Sequence, residues 1–390
     1  MRQLFLAATG QNRGKTTAAL GLVDGFRRRG YRTGFSKPVG QRTLMIHGEP
    51  CDEDADLMCQ VFDMHDPFTA MSPVHIPRGL TKRYLAGEAI EDMETPILDA
   101  QRYFADHDIW LIEGTGHAGV GAVVGLSNAR VASLLRAPTV IISEGGVGRP
   151  IDEIVLNASH FEAHGVPVVG AIVNKIRVDE SPGIERILER GLARHGIPLL
   201  GVLPYRPILS NPTLGMILRG LHGHLICAGP DLDAVIGNVA IGAMEPHHMI
   251  LHVGPRTLVI VPGDREDAIL TLAAAHIADR PSTPAVVSHL ESLVDETPGA
   301  IDAGPEGKAL GIVLTGGYTP RPEVLDAVRH ANMFAAVVPE DTYTVASEVH
   351  DLLVKTHPED TGKIELIKEL VWAHLHMGRF LDVATEARFD

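Results

Sequence analysis

Short β-branched apolar runs alternate along the chain with longer amphipathic ones. Gln3–Ala8, Thr33–Ser36, Ile109–Ile112, Thr139–Ser143, Val168–Val173 and Leu199–Leu203 are almost unbroken apolar segments. Runs of that length without alternation predict strands buried on both faces, as in parallel sheets. Lys15–Arg29 differs. There Ala19, Leu22, Val23 and Phe26 recur at helical spacing, and Gly30 supplies the stop. Strands alternating with helices predict βαβ units and an α/β fold with a doubly wound, mostly parallel sheet.

Between residues 205 and 235 the rhythm breaks, with Pro207, Pro212 and Pro230 among segments of no clear period. A domain boundary is expected near residue 215. A second, smaller α/β pattern follows, with strands predicted at Asn238–Ala243, Thr257–Val261, Ala285–Ser288, Leu310–Leu314 and Phe334–Val338. Glu266–Ala278 and Pro322–Ala331 are the intervening helices, and from Tyr343 to Leu381 two helices are predicted, split by Pro358. The expected division is 1–214, 215–342 and a helical tail, 343–390.

Composition narrows the function classes. Of 390 residues, 45% are hydrophobic and 21% charged, enough apolar material for sizeable cores. The chain carries 34 basic and 49 acidic residues, a net charge of −15. Such a surface repels phosphate backbones and anionic lipid, so neither nucleic acid nor a membrane is expected as partner. Cys51, Cys59 and Cys227 match neither a disulfide framework nor a zinc ribbon. The N-terminal apolar run is too short for a signal peptide, and no run reaches the roughly 18 apolar residues of a spanning helix. A cytoplasmic location is expected.

The most informative segment is Leu6–Thr17, LAATGQNRGKTT. An apolar strand enters a turn, and Gly14-Lys15-Thr16 opens an amphipathic helix. Phosphate binding calls for this layout: loop and helix N–H groups aim at the anion, Lys15 adds a charge, and the Thr16 hydroxyl can coordinate Mg²⁺. The usual spacing places Gly at position 9. Here Thr9 occupies it and Gly10 follows. Gly10, Gln11, Asn12, Arg13, Gly14, Lys15, Thr16 and Thr17 are accordingly the expected nucleotide contacts.

Metal and phosphate partners should stand at the carboxyl ends of neighbouring strands. Glu113 ends the run DIWLIE, and Gly114 after it would let a phosphate approach the backbone. The cluster Asp52-Glu53-Asp54-Ala55-Asp56 enters a helix, where acidic residues also occur for electrostatic reasons alone. Lys37 ends the second strand, where it can neutralise charge on a transferred phosphoryl group. Asn174, after VVGAIV, offers a donor and an acceptor to a purine edge. Pro204 closes the next strand beside the expected base pocket.

Taken in order, TGQNRGKTT, FSKPVGQ, DADLM, WLIEGTG, VGAIVNKI and PLLGVLP resemble the dethiobiotin synthetase type of P-loop ATPase over roughly residues 1–210. The fold is also similar to the synthetase part of cobyrinic acid a,c-diamide synthases. These families use Mg-ATP to activate a carbamate or carboxylate as a phosphoric anhydride. The resemblance implies Lys15 on phosphate, Thr16, Asp54 and Glu113 at Mg²⁺, and Asn174 at adenine; with Lys37 at its strand end, Lys15 and Lys37 are the expected catalytic residues, holding the γ-phosphate. It further implies a small-molecule acceptor and a homodimer.

The second half resembles the DRTGG domain, with Asp264-Arg265 and Thr315-Gly316-Gly317 at two predicted strand ends. There a glycine turn either binds an anion or merely turns the chain. The two domains in this order resemble the N-terminal portion of long bacterial phosphotransacetylases, which implies a regulatory role toward a metabolic enzyme. With the sequence ending at Asp390, transacetylase activity is not expected of it. Two expectations therefore stand: an ATP-dependent ligase-like enzyme, or an ATP-binding regulatory module. Other constellations are weaker. His247-His248 with His252 lacks a His-Glu-x-x-His base, His117 follows the Glu113 loop, and Cys227 lacks the strand–helix elbow of a glutaminase nucleophile.

Overall fold

The structure, a computed structural model, describes the chain except residues 78, 89–91, 178–181, 207–208, 210, 230, 279–308, 352–355, 387–388 and 390. The predicted strand Ala285–Ser288 lies outside the described residues. Two compact units are present, Met1–Arg206 with Thr356–Asp390, and Pro207–Lys355.

In the first unit the strands are β1 (Arg2–Ala8), β2 (Thr33–Ser36), β3 (Val39–Gly40), β4 (Thr43–Ile46), β5 (Glu49–Asp52), β6 (Val74–His75), β7 (Ile109–Glu113), β8 (Thr139–Glu144), β9 (Val168–Ile176) and β10 (Leu199–Pro204). Six of them form one sheet in the order β10-β9-β8-β1-β7-β2, and every pairing within it is parallel. The apolar runs explain this: Leu4, Leu6, Trp110, Leu111, Ile141 and Ile172 are all fully buried, so both faces of the sheet are covered. The short pairs β3–β6 and β4–β5 were not foreseen. They join exposed or mixed segments without an apolar period.

Helix α1 (Lys15–Arg28) buries Ala18, Ala19, Leu22, Val23 and Phe26. Its glycines explain where the C-terminal segment goes. A Cβ at Gly21 would stand 2.1 Å from Val371, and one at Gly25 would stand 2.6 Å from Met377 Sδ. The expected separate tail is therefore corrected: helices Thr361–His374 and Met377–Glu386 complete the first unit, with Ile364, Ile367, Val371 and Phe380 in its core. Among the described residues the tail also holds three helices rather than two. Thr342–Asp351 belongs to the second unit, and extended Leu375, which bridges to Gly201, separates the other two.

The second unit has β11 (His224–Cys227), β12 (Asn238–Ile241), β13 (Thr257–Pro262), β14 (Ala309–Thr315) and β15 (Phe334–Val337), ordered β11-β15-β14-β13-β12. Among the described strands of this unit only β11, which was not predicted, pairs antiparallel. Alternation divides two cores: Leu258 and Ile260 pack with Leu214, Ile217 and Val345 on one face. On the other, Val259 and Val261 pack with Ile269, Leu272 and Val324. Cys227 ends an edge strand, not an elbow. Among the described residues no helix is long and apolar enough to cross a membrane.

Candidate functional site

The central β1 of the first sheet leads into a loop over residues 9–14 and then into α1. Thr9 N–H donates to Ile142 O and Ala18 N–H to Gly14 O. Between them, from Gly10 to Thr17, no backbone N–H has an acceptor among the described residues. Orphan donors gathered at a loop and helix N-terminus suit an anion. Gln11 and Asn12 are exposed, and Asn12 and Gly14 have positive φ, 58° and 93°. A Cβ at Gly14 would stand 2.0 Å from Asn174 Nδ2, so only glycine fits there.

Thr16, on the first turn of α1, places its hydroxyl 3.2 Å from Asp54 Oδ1 and 3.1 Å from Glu113 Oε1. Asp54 lies on α2 (Glu53–Phe62), whose N-terminus Asp52 caps by accepting Asp54 N–H. Lys37 Nζ donates to Asp54, lies 3.4 Å from Glu113 and stands 3.8 Å from Asp52. Gly40 makes room for this: its Cβ would lie 2.8 Å from Asp52 Oδ2. Lys15 is buried beside the same carboxylates. The sequence-predicted Lys15, Thr16, Lys37, Asp54 and Glu113 thus stand together at adjoining strand ends. Asp52 joins them, having been read only as part of an acidic helix start.

Burial dominates the electrostatics. It pulls the Lys15 ammonium below its ordinary value against the attraction of Glu113. Burial would lower Lys37 too, but Asp54, Glu113 and Asp52 outweigh it and hold that ammonium protonated. Burial opposes the Asp54 charge, yet Lys37 prevails and the carboxyl titrates below its usual range. Glu113 goes the other way: burial pushes it up to about 7 despite Lys37. Its Oε2 is inaccessible and has no hydrogen-bond partner. An unsatisfied buried carboxylate oxygen beside a threonine hydroxyl and a second carboxylate is a donor set that fits a hard divalent cation.

Three residues expected as nucleotide contacts, Asn174, Gly114 and Arg13, have close protein neighbours. Asn174 Nδ2 donates to Arg13 O at 3.0 Å and so fastens the loop. Gly114 is needed because a Cβ would meet Asn128 Oδ1 and Phe5, each at 2.7 Å. Asn128 in turn braces the strand-end loop by accepting Thr115 N–H and donating to the Thr115 and His117 carbonyls. Arg13 pairs with Glu144 and lies 3.7 Å from Glu153. Its partners are more than a hundred residues away and carry no motif, so sequence offers no signal for them. Pro204 ends β10 in register with Ile176. His117 is exposed, its Nδ1 accepting Gly119 N–H. A cleft of about 200 Å³ lies by Val39, Gln41, Thr115, Val120, Val124 and Asn128. It starts two residues beyond Lys37 and Glu113 in the chain.

Residues 2–213, more than half of the chain, match the model of a family described as an AAA domain. The chain belongs to this AAA-domain family. Residues 216–352 match the DRTGG domain, so the protein is a P-loop domain followed by a DRTGG domain. The phosphate acetyltransferase of Nitrosomonas europaea is 23% identical over 389 residues, covering 96% of this chain and 50% of the relative. That of Pseudomonas putida is 26% identical over 389 residues, covering 96% and 51%. The AAA-family chain thus spans about half the length of these curated relatives. Among solved structures, the Pyrococcus furiosus cell division ATPase MinD aligns with 54% of this chain and 86% of its own at 16% identity and TM-score 0.34. At that score the likeness adds nothing to the sheet order.

Proposed function

We propose that the first unit binds Mg-ATP and transfers its γ-phosphoryl group to a small carboxylate or carbamate. The observation that carries this reading is the Thr16 hydroxyl held between Asp54 and Glu113, with Glu113 Oε2 unpartnered. The N–H groups from Gly10 to Thr17 would receive the phosphates, and Asn174 would keep the loop in shape beneath them. Thr16, Asp54 and Glu113 would hold Mg²⁺, which when bound neutralises charge on the β- and γ-phosphates. Lys15 and Lys37 would hold the γ-phosphate while an acceptor oxygen attacks phosphorus in line. The bond to the β,γ-bridging oxygen breaks, ADP leaves, and the product is a mixed phosphoric anhydride. A carboxylate nucleophile needs no base, and the cleft by Thr115 and Val124 is of a size for a small acceptor.

One observation favours a second reading. Nearly all of the chain aligns with half of each of two phosphate acetyltransferases. In this reading ATP is a signal, and the two units regulate a metabolic enzyme. Phosphate release from Mg-ATP, measured for wild type and Lys15→Ala with and without a small-molecule cell extract, separates the two. Release stimulated by extract and lost in the variant is the expected result. ATP binding without stimulated release would reject the enzyme in favour of the regulator. Lys15→Ala should also weaken ATP binding at least tenfold, about 1.4 kcal/mol; unchanged affinity would remove the phosphate-loop assignment altogether.

A further inference from the structure

The second unit carries a cluster that neither reading uses. After β12 the chain turns through Glu245, Pro246, His247 and His248. One ligating atom from each of Glu245, His247 and His248 lies within 4.8 Å of the others. Glu245 Oε2 is 3.6 Å from His247 Nδ1, and the two imidazole rings have centroids 3.9 Å apart. His252, considered with them on spacing and set aside, is not in this set, which Glu245 completes.

The turn that presents these side chains is fixed from beneath. Pro246 stands at the first position of helix Pro246–Met249, where its ring presets the backbone. His248 N–H and Met249 N–H both donate to Glu245 O, at 3.0 and 2.9 Å. Met249 is 2% exposed and packs with Val259 and Val261 in the core. The backbone is therefore anchored while the side chains point outward: Glu245 and His247 are 76% and 66% exposed. The Asp264-Arg265 signature is tied to the same turn, since Arg265 donates to Met244 O at 3.2 Å.

We propose that Glu245, His247 and His248 form a surface site for a borderline divalent transition-metal ion such as Zn²⁺. Two imidazoles and a carboxylate suit Zn²⁺, Ni²⁺ or Cu²⁺, whereas Mg²⁺ and Ca²⁺ prefer oxygen ligands alone. Tetrahedral Zn²⁺ with bonds of about 2.0–2.1 Å puts ligand atoms roughly 3.4 Å apart. The three side chains reach that spacing by contracting at most about 1.4 Å, which rotation of exposed side chains on a fixed turn can supply. Three protein ligands leave the fourth position to water. The site is then exchangeable, and of the open type rather than the closed structural type.

The test is isothermal titration of ZnCl₂ into the full chain at pH 7.5, with wild type, His247→Ala/His248→Ala, Glu245→Gln, and His160→Ala/His164→Ala. The last is a control on the other close histidine pair, whose ring centroids are 4.8 Å apart. Wild type is expected to show one tightest site. The 247/248 variant should weaken it at least tenfold, Glu245→Gln by about threefold, and the control not at all. In histidine ring NMR spectra the first equivalent of Zn²⁺ should shift the resonances lost in the 247/248 variant. Equal affinity in wild type and that variant overturns the proposal, as does a loss of the same size in the control. No wild-type binding at 100 µM Zn²⁺ overturns it too. Because Glu245, His247 and His248 are exposed, far-UV circular dichroism and Tm of their variants should match wild type.

Discussion

Both units turn glycines at the carboxyl ends of parallel strands, yet they use them in opposite ways. In the first, the backbone from Gly10 to Thr17 leaves its N–H groups without acceptors among the described residues. In the second, Gly263 and the signature glycines Gly316 and Gly317 spend theirs. Gly263 N–H donates to Thr315 O, Gly316 N–H to Glu340 O and Gly317 N–H to Val338 O. The charges follow suit. Glu113 is pushed up by burial, with one oxygen unpaired, whereas Asp267 and Glu266 are held down by hydrogen bonds from Arg265 and Arg321. The same turn chemistry thus leaves one strand end ready for an anion and ties the other shut. Of the two uses of Thr315-Gly316-Gly317 considered from sequence, the hydrogen bonds match turning the chain.

An open loop does little to hold its own unit together, so that unit must find stability elsewhere. Part of it comes from the far end of the chain, where Ile364, Ile367, Leu370, Val371, Met377 and Phe380 bury against the first unit. At about 1.5–3 kcal/mol for each buried side chain, losing them costs on the order of 10 kcal/mol. That rivals the whole stability of an ordinary domain. Deleting residues 356–390 should therefore unfold the first unit and leave 207–355 protected, as read by limited proteolysis and mass spectrometry. Equal protease resistance of both units in the truncated chain would break the contrast in how the two are held.

That dependence marks the limit of what could be read from sequence. The strands of the first sheet were legible because burial on both faces leaves apolar runs such as WLI and VIIS. Lys37 and Glu113 were legible because each sits where a run ends, and Lys15 and Thr16 because they open the helix after the glycine turn. Asp54 came through resemblance, since acidic residues at a helix start have an electrostatic reason of their own. What stayed hidden depends on partners distant in the chain. Gly21 and Gly25 read as ordinary small residues until Val371 and Met377 stand over them. Asn128 shows no pattern that ties it to the loop after Glu113. The DRTGG turn gave no hint whether its donors were free, because their acceptors, Glu340 O and Val338 O, are backbone atoms without a side-chain signal.

A smaller effect tests the electrostatic half of the comparison. Glu113 titrates near 7 in the folded protein against an ordinary 4.5. For a raised carboxyl, the folded state favours the proton. Stability from this group is complete below about 4.5 and is lost as pH climbs through 7. The loss is on the order of 3 kcal/mol by linkage. Glu113→Gln should remove it: the variant should be more stable than wild type at pH 8, show little gain at pH 4.5, and fail in phosphate release. Urea denaturation without nucleotide at the two pH values is the measurement. A wild type as stable at pH 8 as at pH 4.5, with no gain from Gln, would mean the carboxylate is stabilised in its charged form, and the contrast with Asp267 and Glu266 would disappear.

The smallest effect falls on the closed strand end. Gly317 has φ 71°, and a Cβ there would find only Pro339 Cα, at 3.7 Å. Space is available, so Gly317→Ala meets only the left-handed backbone penalty, about 1 kcal/mol. If the signature serves to turn the chain, chemical denaturation should show a loss of that size while ATP affinity and Zn²⁺ binding stay at wild-type values. Gly14→Ala makes the contrast sharp: its Cβ would collide with Asn174, so there ATP affinity should fall. A Gly317→Ala protein of unchanged stability but weakened ATP binding would reverse the assignment. It would place an anion at the turn whose N–H groups otherwise bond to Glu340 and Val338.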